Sequence, residues 1–535
     1  MTQDLGRHLI NGQIILETHK IPKTNFFSYT YSDFPFINHH WFSEVIFYFL
    51  VKLGGFNLLL ISITAIAIVA FALVVFHSLK KANIISLVIV SILYLLVLFE
   101  RTEVRPEIFS FFFVSVFIVI LYRYREKFTP LIFILPLIEL LWVNIHIYFP
   151  IGIAVLGLFL IDSVIINRKR PLCKYTIILS SVLIASSLLS LINPNGMNGA
   201  LYPFRVFQNY GYTIEENQNV FFLWNYFNGK ATILFFFISS ALLFLTLVFS
   251  WKKTRLIDWL LAIFFTILGA SAERNFPLFV FGTFPAFVYS LSPLSEKLLH
   301  SYKIKRIILA ILAILLIWQI INVISSKPIG FGVEKGAEPA VDFLIKNKIK
   351  GPIFNNFDIG SYLEYRLYPK EKVFVDGRPE AYPASFFQNE YIAMQENKEV
   401  FKKISEKYNF QTIFFAHTDQ TPWAEKFMRS VVNDPEWQLI YADDFVMILI
   451  KNKKENLPDY LHVPSFQTLD MKSLFRLAHF LNTVGFADQE ISIYQAILAK
   501  DPDSCPSLYN LSLILEQKQS PLSSVYASRF NRSCK

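Results

Sequence analysis

Between Phe56 and Ile324 the chain is a succession of apolar runs separated by short polar breaks. A helix needs roughly 17–25 mainly apolar residues to cross a bilayer, so this region reads as about ten spanning helices. The runs are Phe56–Phe76, Ile84–Phe99, Ile108–Tyr122, Leu131–Val143, Phe149–Ile165, Tyr175–Ile192, Thr232–Ser250, Ile257–Ala270, Pro277–Leu291 and Ile307–Ile324. Several are short, and runs of ~10–14 residues also suit re-entrant or buried helices. Hydrophobic residues make up 54% of the chain and Phe occurs 55 times, which sets it apart from soluble domains.

Alternate breaks are basic: Lys80-Lys81; Arg123, Arg125 and Lys127; Arg168, Lys169, Arg170 and Lys174; Lys252, Lys253 and Arg255; Lys297, Lys303, Lys305 and Arg306. The positive-inside rule places these in the cytoplasm. The net charge of +9 is therefore an orientation signal, and a nucleic-acid partner is excluded. The intervening breaks, expected outside, carry Glu100, Arg101, Glu103 and Arg105; then Asn144 and His146; then the stretch 193–230; then Glu273 and Arg274. Residues before Phe56 fall outside too. No apolar helix and no signal-peptide pattern precede Asp4, so either a short N-terminal tail crosses unaided or, the favoured expectation, a first spanning helix lies upstream of the given start.

After Ser326 the chain should again lie outside. "GPIFNN", "KVFVD" and "FQTIFFAH" read as strands, "WQLIYADDFVMILIK" as a hairpin, and "NKEVFKKISEKYN" and "WAEKFMRSVVND" as amphipathic helices. From Leu457-Pro458 onward the pattern is helical. Ala478, Gly485, Tyr494, Ala496, Ala499 and Pro502 are spaced like a tetratricopeptide unit of about 34 residues, followed by part of a second. The expected fold class is thus mainly α. A first outer loop with amphipathic helices (1–55) precedes a polytopic helical membrane domain (56–325). A small soluble α/β domain (326–456) and a tetratricopeptide-like helical tail (457–535) follow. The tail is expected to bind a protein partner or to dock on the α/β domain.

Asp4 is the best general-base candidate, since a carboxylate on an exposed loop can take a proton from an acceptor hydroxyl. Arg7, Arg105 and Arg274 suit phosphate, which a guanidinium grips through two parallel hydrogen bonds. A rival reading makes the outer acids and arginines a structural network. Glu139 falls inside an apolar run, where ionisable groups are costly and face a cavity or one another. His146 reads first as a packing residue and second as part of the outer site. The adjacent His39 and His40 point different ways and make a poor shared-metal signal, and HExxH is absent. Three cysteines without CxxC give no zinc framework. Asp376 and Arg378 close an apolar run and form a second candidate site, although Asp-Gly is also a turn signal and leaves Arg378 exposed for interaction.

The stretch "DLGRHLINGQIILETHKIPKTNFFSYT…HHWFSEVIFYFLVKLGG" resembles the first outer loop of bacterial multi-pass proteins of the GT-C glycosyltransferase superfamily. "RPEIFSF", "LWVNIHIYFPIGI", "LINPNGMNGALYPFRVF", "ERNFPLFVF" and "GSYLEYRLYPKEKVFVDGRPEAY" extend the resemblance to Tyr382. It implies a polyprenyl-phosphate-linked sugar donor and work at the outer membrane face. It makes Asp4 the catalytic acid or base, with His8, His39 and Glu44 shaping the site and Arg105 and Arg274 at the donor phosphate. A divalent cation is used by some members and not by others. The leading expectation is a membrane glycosyltransferase in contact with membrane lipids. A non-catalytic scaffold in cell-envelope polysaccharide assembly and a transporter are the alternatives, and no repeat between halves favours the last.

Overall fold

The computed structural model describes residues 4–99, 103–205, 210–298, 302–326, 336–451 and 469–534. Every apolar run read from the sequence coincides with a helix. Among the described residues, five helices are long and apolar enough to cross a membrane: Trp41–Leu79, Glu107–Glu126, Ala231–Phe249, Glu273–Glu296 and Lys305–Asn322. The shorter apolar helices Ile84–Leu98, Pro130–Ile145, Pro150–Ile166, Lys174–Leu189 and Leu256–Ser271 fill the bundle between them. The protein is a multi-pass membrane protein.

The elements that build the site are α1 (Leu5–Thr18), α2 (Trp41–Leu79), α3 (Ile84–Leu98), α4 (Glu107–Glu126), α5 (Leu135–Ile145), α6 (Pro150–Ile166) and α7 (Lys174–Leu189). α2 is two helices joined at Gly54-Gly55, where Gly55 takes φ 68°, a conformation that costs glycine little. α3 starts where Asn83 accepts from the Ser86 N–H, a cap worth about 1 kcal/mol. The Asn83 amide also reaches Ser292 and Ser295.

The polar breaks sort into two ends of the bundle. At one end Glu126 pairs with Lys81 and Arg255. Asp162 takes Arg125 at 2.8 Å and the Ile257 N–H at 3.0 Å, and Tyr122 donates to Asp258 at 2.6 Å. At the other end Arg105 meets Glu216, Arg274 meets Glu107 and Asn217, Tyr148 donates to Asn275, and Trp41 donates to Asn144. α1 lies at this second end, wedged between α2 and the soluble domain. Gly12 and Gly6 permit the close approach: a Cβ there would sit 2.1 Å from the Glu44 carbonyl oxygen and 2.5 Å from that of Ser361.

The soluble domain is a four-stranded sheet of order β1-β2-β4-β3, with β1 (Ile353–Asn355), β2 (Thr412–Ala416), β3 (Trp437–Ala442) and β4 (Val446–Lys451). β1 runs parallel to β2; the other pairings are antiparallel. Both faces are covered, so the central strands are apolar in an unbroken run, Ile413–Ala416 and Val446–Ile450, rather than alternating. Val446, Ile448 and Ile450 face one core with Val341 and Leu363. Met447 and Leu449 face the other with Phe401, Phe427 and Phe36 of the first loop. The tail helices Met471–Val484, Ala487–Lys500, Cys505–Gln517 and Leu522–Ser533 pack on this second core through Leu474, Leu477 and Phe480. A Cys505–Cys534 disulfide joins the last two. The boundary expected at Leu457-Pro458 lies outside the described residues.

One expected strand is corrected. "KVFVD" does not join the sheet. The Asn355 side chain on β1 takes the place of a ladder, donating to the Val375 carbonyl at 2.7 Å and accepting from the Phe374 N–H at 2.9 Å. On its other side the segment bridges to the first loop: Val373 exchanges hydrogen bonds with Phe27 and Tyr29, and Ser28 and Thr30 donate to the Phe374 carbonyl.

Candidate active site

Asp4, Arg7, His8 and Asn11 are spaced i, i+3, i+4, i+7 and share one face of α1. That face is buried against the start of α2. Glu44 is fully buried at its centre. Its Oε1 lies 3.0 Å from His8 Nδ1 and accepts from Asn11 at 3.2 Å, and its Oε2 accepts from Asn38 at 2.6 Å. Arg7 spans the two acids, with Nη2 3.4 Å from Asp4 and Nη1 3.7 Å from Glu44. The backbone N–H of His40 donates to Asn38, which fixes the turn that aims the next two rings.

Four imidazoles form a contiguous group. Ring centroids are 5.4 Å apart for His8 and His40, 4.0 Å for His39 and His40, and 5.1 Å for His40 and His146. Nδ1 of His146 receives the Tyr148 N–H and lies 2.8 Å from Ser110 Oγ, which accepts from Trp142 Nε1. Nδ1 is therefore an acceptor, and a neutral His146 carries its proton on Nε2. Burial drives His40 and His146 well below the usual imidazole range and His39 to about 4. Arg7 near His39 and Arg274 near His146 act in the same direction. All are neutral at pH 7.

Asp4 stands where α1 meets the soluble domain. A Cβ on Gly377 would come within 3.0 Å of its Oδ1. Burial alone would raise this carboxyl, but Arg7, Arg105 and His8 outweigh burial and hold it below its ordinary value. Opposite it, burial and the carboxylates of Asp419 and Asp4 push Asp358 up to about 7.

The outer arginines are engaged by carboxylates. Arg105 makes a bidentate pair with Glu216, at 2.8 and 3.1 Å, and meets Glu103 at 2.6 Å. Arg274 donates to Asn217 at 2.8 Å and reaches Glu107 at 3.4 Å. Glu139 is fully buried, with both carboxyl oxygens lacking a hydrogen-bond partner, against Gly152, Trp142 and Phe117. Glu100 and Arg101 lie outside the described residues.

Asp376 and Arg378 are not an exposed turn; Arg378 is 1% exposed. Its guanidinium donates to Asp376 at 2.8 and 2.7 Å and to Asn25 of the first loop at 2.7 Å, between the rings of Phe36 and Phe27. Burial would raise Asp376, but Arg378 holds it down, while burial beside Asp376 raises Glu364. The pair ties the first loop to the soluble domain beneath Asp4.

The structure thus brings Asp4, Arg7, His8, His39, Glu44 and His146 together, with Arg105 close enough to Asp4 to bias its ionisation. Sequence reasoning missed Asn11, Asn38, Asp358 and Glu216. Asn11 had a signal, the i+7 position of the α1 stripe; Asn38 reaches Glu44 across a turn of six residues that carries no such pattern, and Asp358 and Glu216 depend on contacts distant in sequence. Among the described residues no group of three His, Cys, Asp or Glu is spaced to hold a metal ion.

The arrangement is that of a helical membrane domain with a first loop, bearing Asp4 and Glu44, clipped under a soluble domain. No protein-family model and no curated protein matches the chain. Solved structures do. An Archaeoglobus fulgidus oligosaccharyltransferase, AglB, in complex with an inhibitory peptide and a dolichol-phosphate, aligns at TM-score 0.57 and 12% identity over 80% of this chain and 67% of that one. The apo form of the enzyme from that organism aligns at 0.58 and 13%, over 86% and 71%. Its complex with Zn and sulfate aligns at 0.55 and 12%, over 100% and 82%. The chain shares the fold of these oligosaccharyltransferase structures.

Proposed function

We propose that this protein is a membrane glycosyltransferase that moves a sugar from a polyprenyl-phosphate carrier to an extracytoplasmic acceptor. The observation that carries the reading is Asp4, flanked by Arg7 and His8, at the seam between first loop, bundle end and soluble domain. The fold supports it, since a structure of the similar AglB holds a dolichol-phosphate and a peptide. Asp4 engages the acceptor nucleophile. Arg105 and Arg274 stabilise the phosphate leaving group, exchanging Glu216, Glu107 and Asn217 for its oxygens. The basic bundle end, with Lys81, Arg125 and Arg255, faces the cytoplasm, and Asp4 and the C-terminal region face outward. The disulfide supports this orientation, because such bonds persist in oxidising compartments. The helical tail, as a tetratricopeptide-like platform with Tyr509, Leu513 and Val525 exposed, is assigned to a protein partner.

The test uses purified protein in liposomes with farnesyl-phosphate-linked hexoses and a cell-envelope acceptor fraction, reading released farnesyl phosphate. Asp4→Asn should lose at least about a hundredfold in rate. Transfer at the wild-type rate by a folded Asp4→Asn protein would sink the reading, and a scaffold would be the better description.

A further inference from the structure

Beside Asp4, the buried stripe of α1 presents a second group able to accept a proton. Glu44 is ionised by the company it keeps: three side chains donate to it or lie at donor distance, those of His8, Asn11 and Asn38. A carboxylate only accepts, so Nδ1 of His8 carries the ring proton toward Glu44 and Nε2 holds the lone pair. Nε2 has no hydrogen-bond partner among the described residues, although His8 is only 2% exposed. The geometry is a base oriented by a second carboxylate, one helical turn from Asp4.

We propose that His8 Nε2, held in this tautomer by Glu44, receives the proton of the acceptor nucleophile during sugar transfer. This role rests on the transfer reading above and deepens it. The new bond joins the acceptor atom to the anomeric carbon. The bond from that carbon to the lipid-phosphate oxygen breaks, and its electron pair leaves on the phosphate. The acceptor's proton passes to Nε2. The imidazolium formed sits between Glu44 and Asp4 until it gives the proton to water. Asp4 grips the acceptor without keeping the proton, since a carboxylate held below its usual range is a weak sink.

The ionisable groups facing His8 are Asp4 and Arg7 from α1, Glu44 from α2, His39 and His40 from the loop before α2, and His146 from the loop after α5. Burial and Arg7 lower His8, and Glu44 and Asp4 oppose them. The net result is a ring neutral at pH 7 and ready to accept. Glu44 is a positioning residue; it touches no reacting atom.

A structural role, His8 stapling α1 to α2, makes a different forecast. In His8→Asn the side-chain amide can still donate to Glu44 while the basic nitrogen is gone. The staple view expects near wild-type transfer; the proposal expects a loss of about 10²–10⁴-fold in kcat with KM little changed. In His8→Ala, added imidazole should restore part of the rate, the restored part rising with the fraction of neutral imidazole. Glu44→Gln should slow transfer less than His8→Asn does. All variants are checked for folding by size exclusion in detergent and read with the farnesyl-phosphate hexose panel. A wild-type protein that transfers, beside a His8→Asn protein that transfers equally well, overturns this role and leaves the glycosyltransferase reading standing. A folded wild-type protein that releases no farnesyl phosphate from any donor overturns both.

Discussion

Replacing Arg378 by Met removes a guanidinium that makes hydrogen bonds of 2.8, 2.7 and 2.7 Å to Asp376 and Asn25. Met supplies an apolar stem of similar reach in place of the guanidinium that lies between the Phe27 and Phe36 rings. Asp376, fully buried, retains the Tyr382 hydroxyl and the backbone N–H of residue 378 but loses its counter-charge. Breaking a buried pair from one side costs about 3–5 kcal/mol, because the remaining charge is left uncompensated. At 1.4 kcal/mol per decade this is a factor of roughly 10²–10³·⁵ in the opening equilibrium of the clip. Hydrogen exchange by mass spectrometry in detergent reads it directly. Amides of residues 24–36 and 373–382 should exchange faster by that factor at pH 7, while α4 and α6 stay unchanged. Arg378→Met combined with Asp376→Asn should recover much of the protection, since no lone charge remains. Exchange within threefold of wild type in the single variant, or no recovery in the double, would refute the reasoning.

Asp358→Asn tests the raised carboxyl. Unfolded, Asp358 ionises near 3.8; folded, near 7. Between those values the folded chain holds a proton the unfolded chain has lost. Its contribution is full below about pH 4 and declines as pH rises through about 7. The variant should melt above wild type at about pH 8 and lose that advantage near pH 4; equal melting at both pH values contradicts the assignment. Opening the Cys505–Cys534 bond, which spans a separation of 29 residues, should cost about 3–4 kcal/mol in the chain-entropy estimate. The last helix, Leu522–Ser533, has no buried residue, so faster exchange should be confined to it and its partner Cys505–Gln517; unchanged exchange there would count against that dependence. In intact cells treated with reductant and an impermeant thiol reagent, Cys505 and Cys534 should label and Cys173 should not. The reverse pattern inverts the orientation.

The membrane domain was legible because bilayer thickness acts on every span alike: an apolar run such as Ala231–Phe249 announces itself without knowledge of its neighbours. The alternation of charge in the breaks was equally local, and the described ion pairs group Lys81, Arg125 and Arg255 at one end and Arg105 and Arg274 at the other. The site was half legible. Asp4, Arg7 and His8 lie within one helix turn and a half. The meeting of His40 with His146, or of Asp4 with Gly377, is a property of packing that no local pattern encodes. "KVFVD" misled for the same reason. Its β-branched and aromatic residues fit a pleated surface, but Asn355 and the first loop supply hydrogen-bond partners that a sheet would otherwise provide. Asp-Gly suggested an exposed turn; the guanidinium two residues on instead found a carboxylate and an amide in the interior.

The clip between Asn25 and Arg378 joins segments separated by 353 residues. On the ribosome, at about 5–20 residues per second, some 20–70 s pass between synthesis of the two halves. Through that interval the bundle inserts while the soluble-domain side of α1 has nothing to rest on. The candidate site is therefore completed last, when the segment around Arg378 has been made and closes on the first loop. A chain truncated before residue 373 would leave the stretch 24–36 without the hydrogen bonds that hold it against the soluble domain.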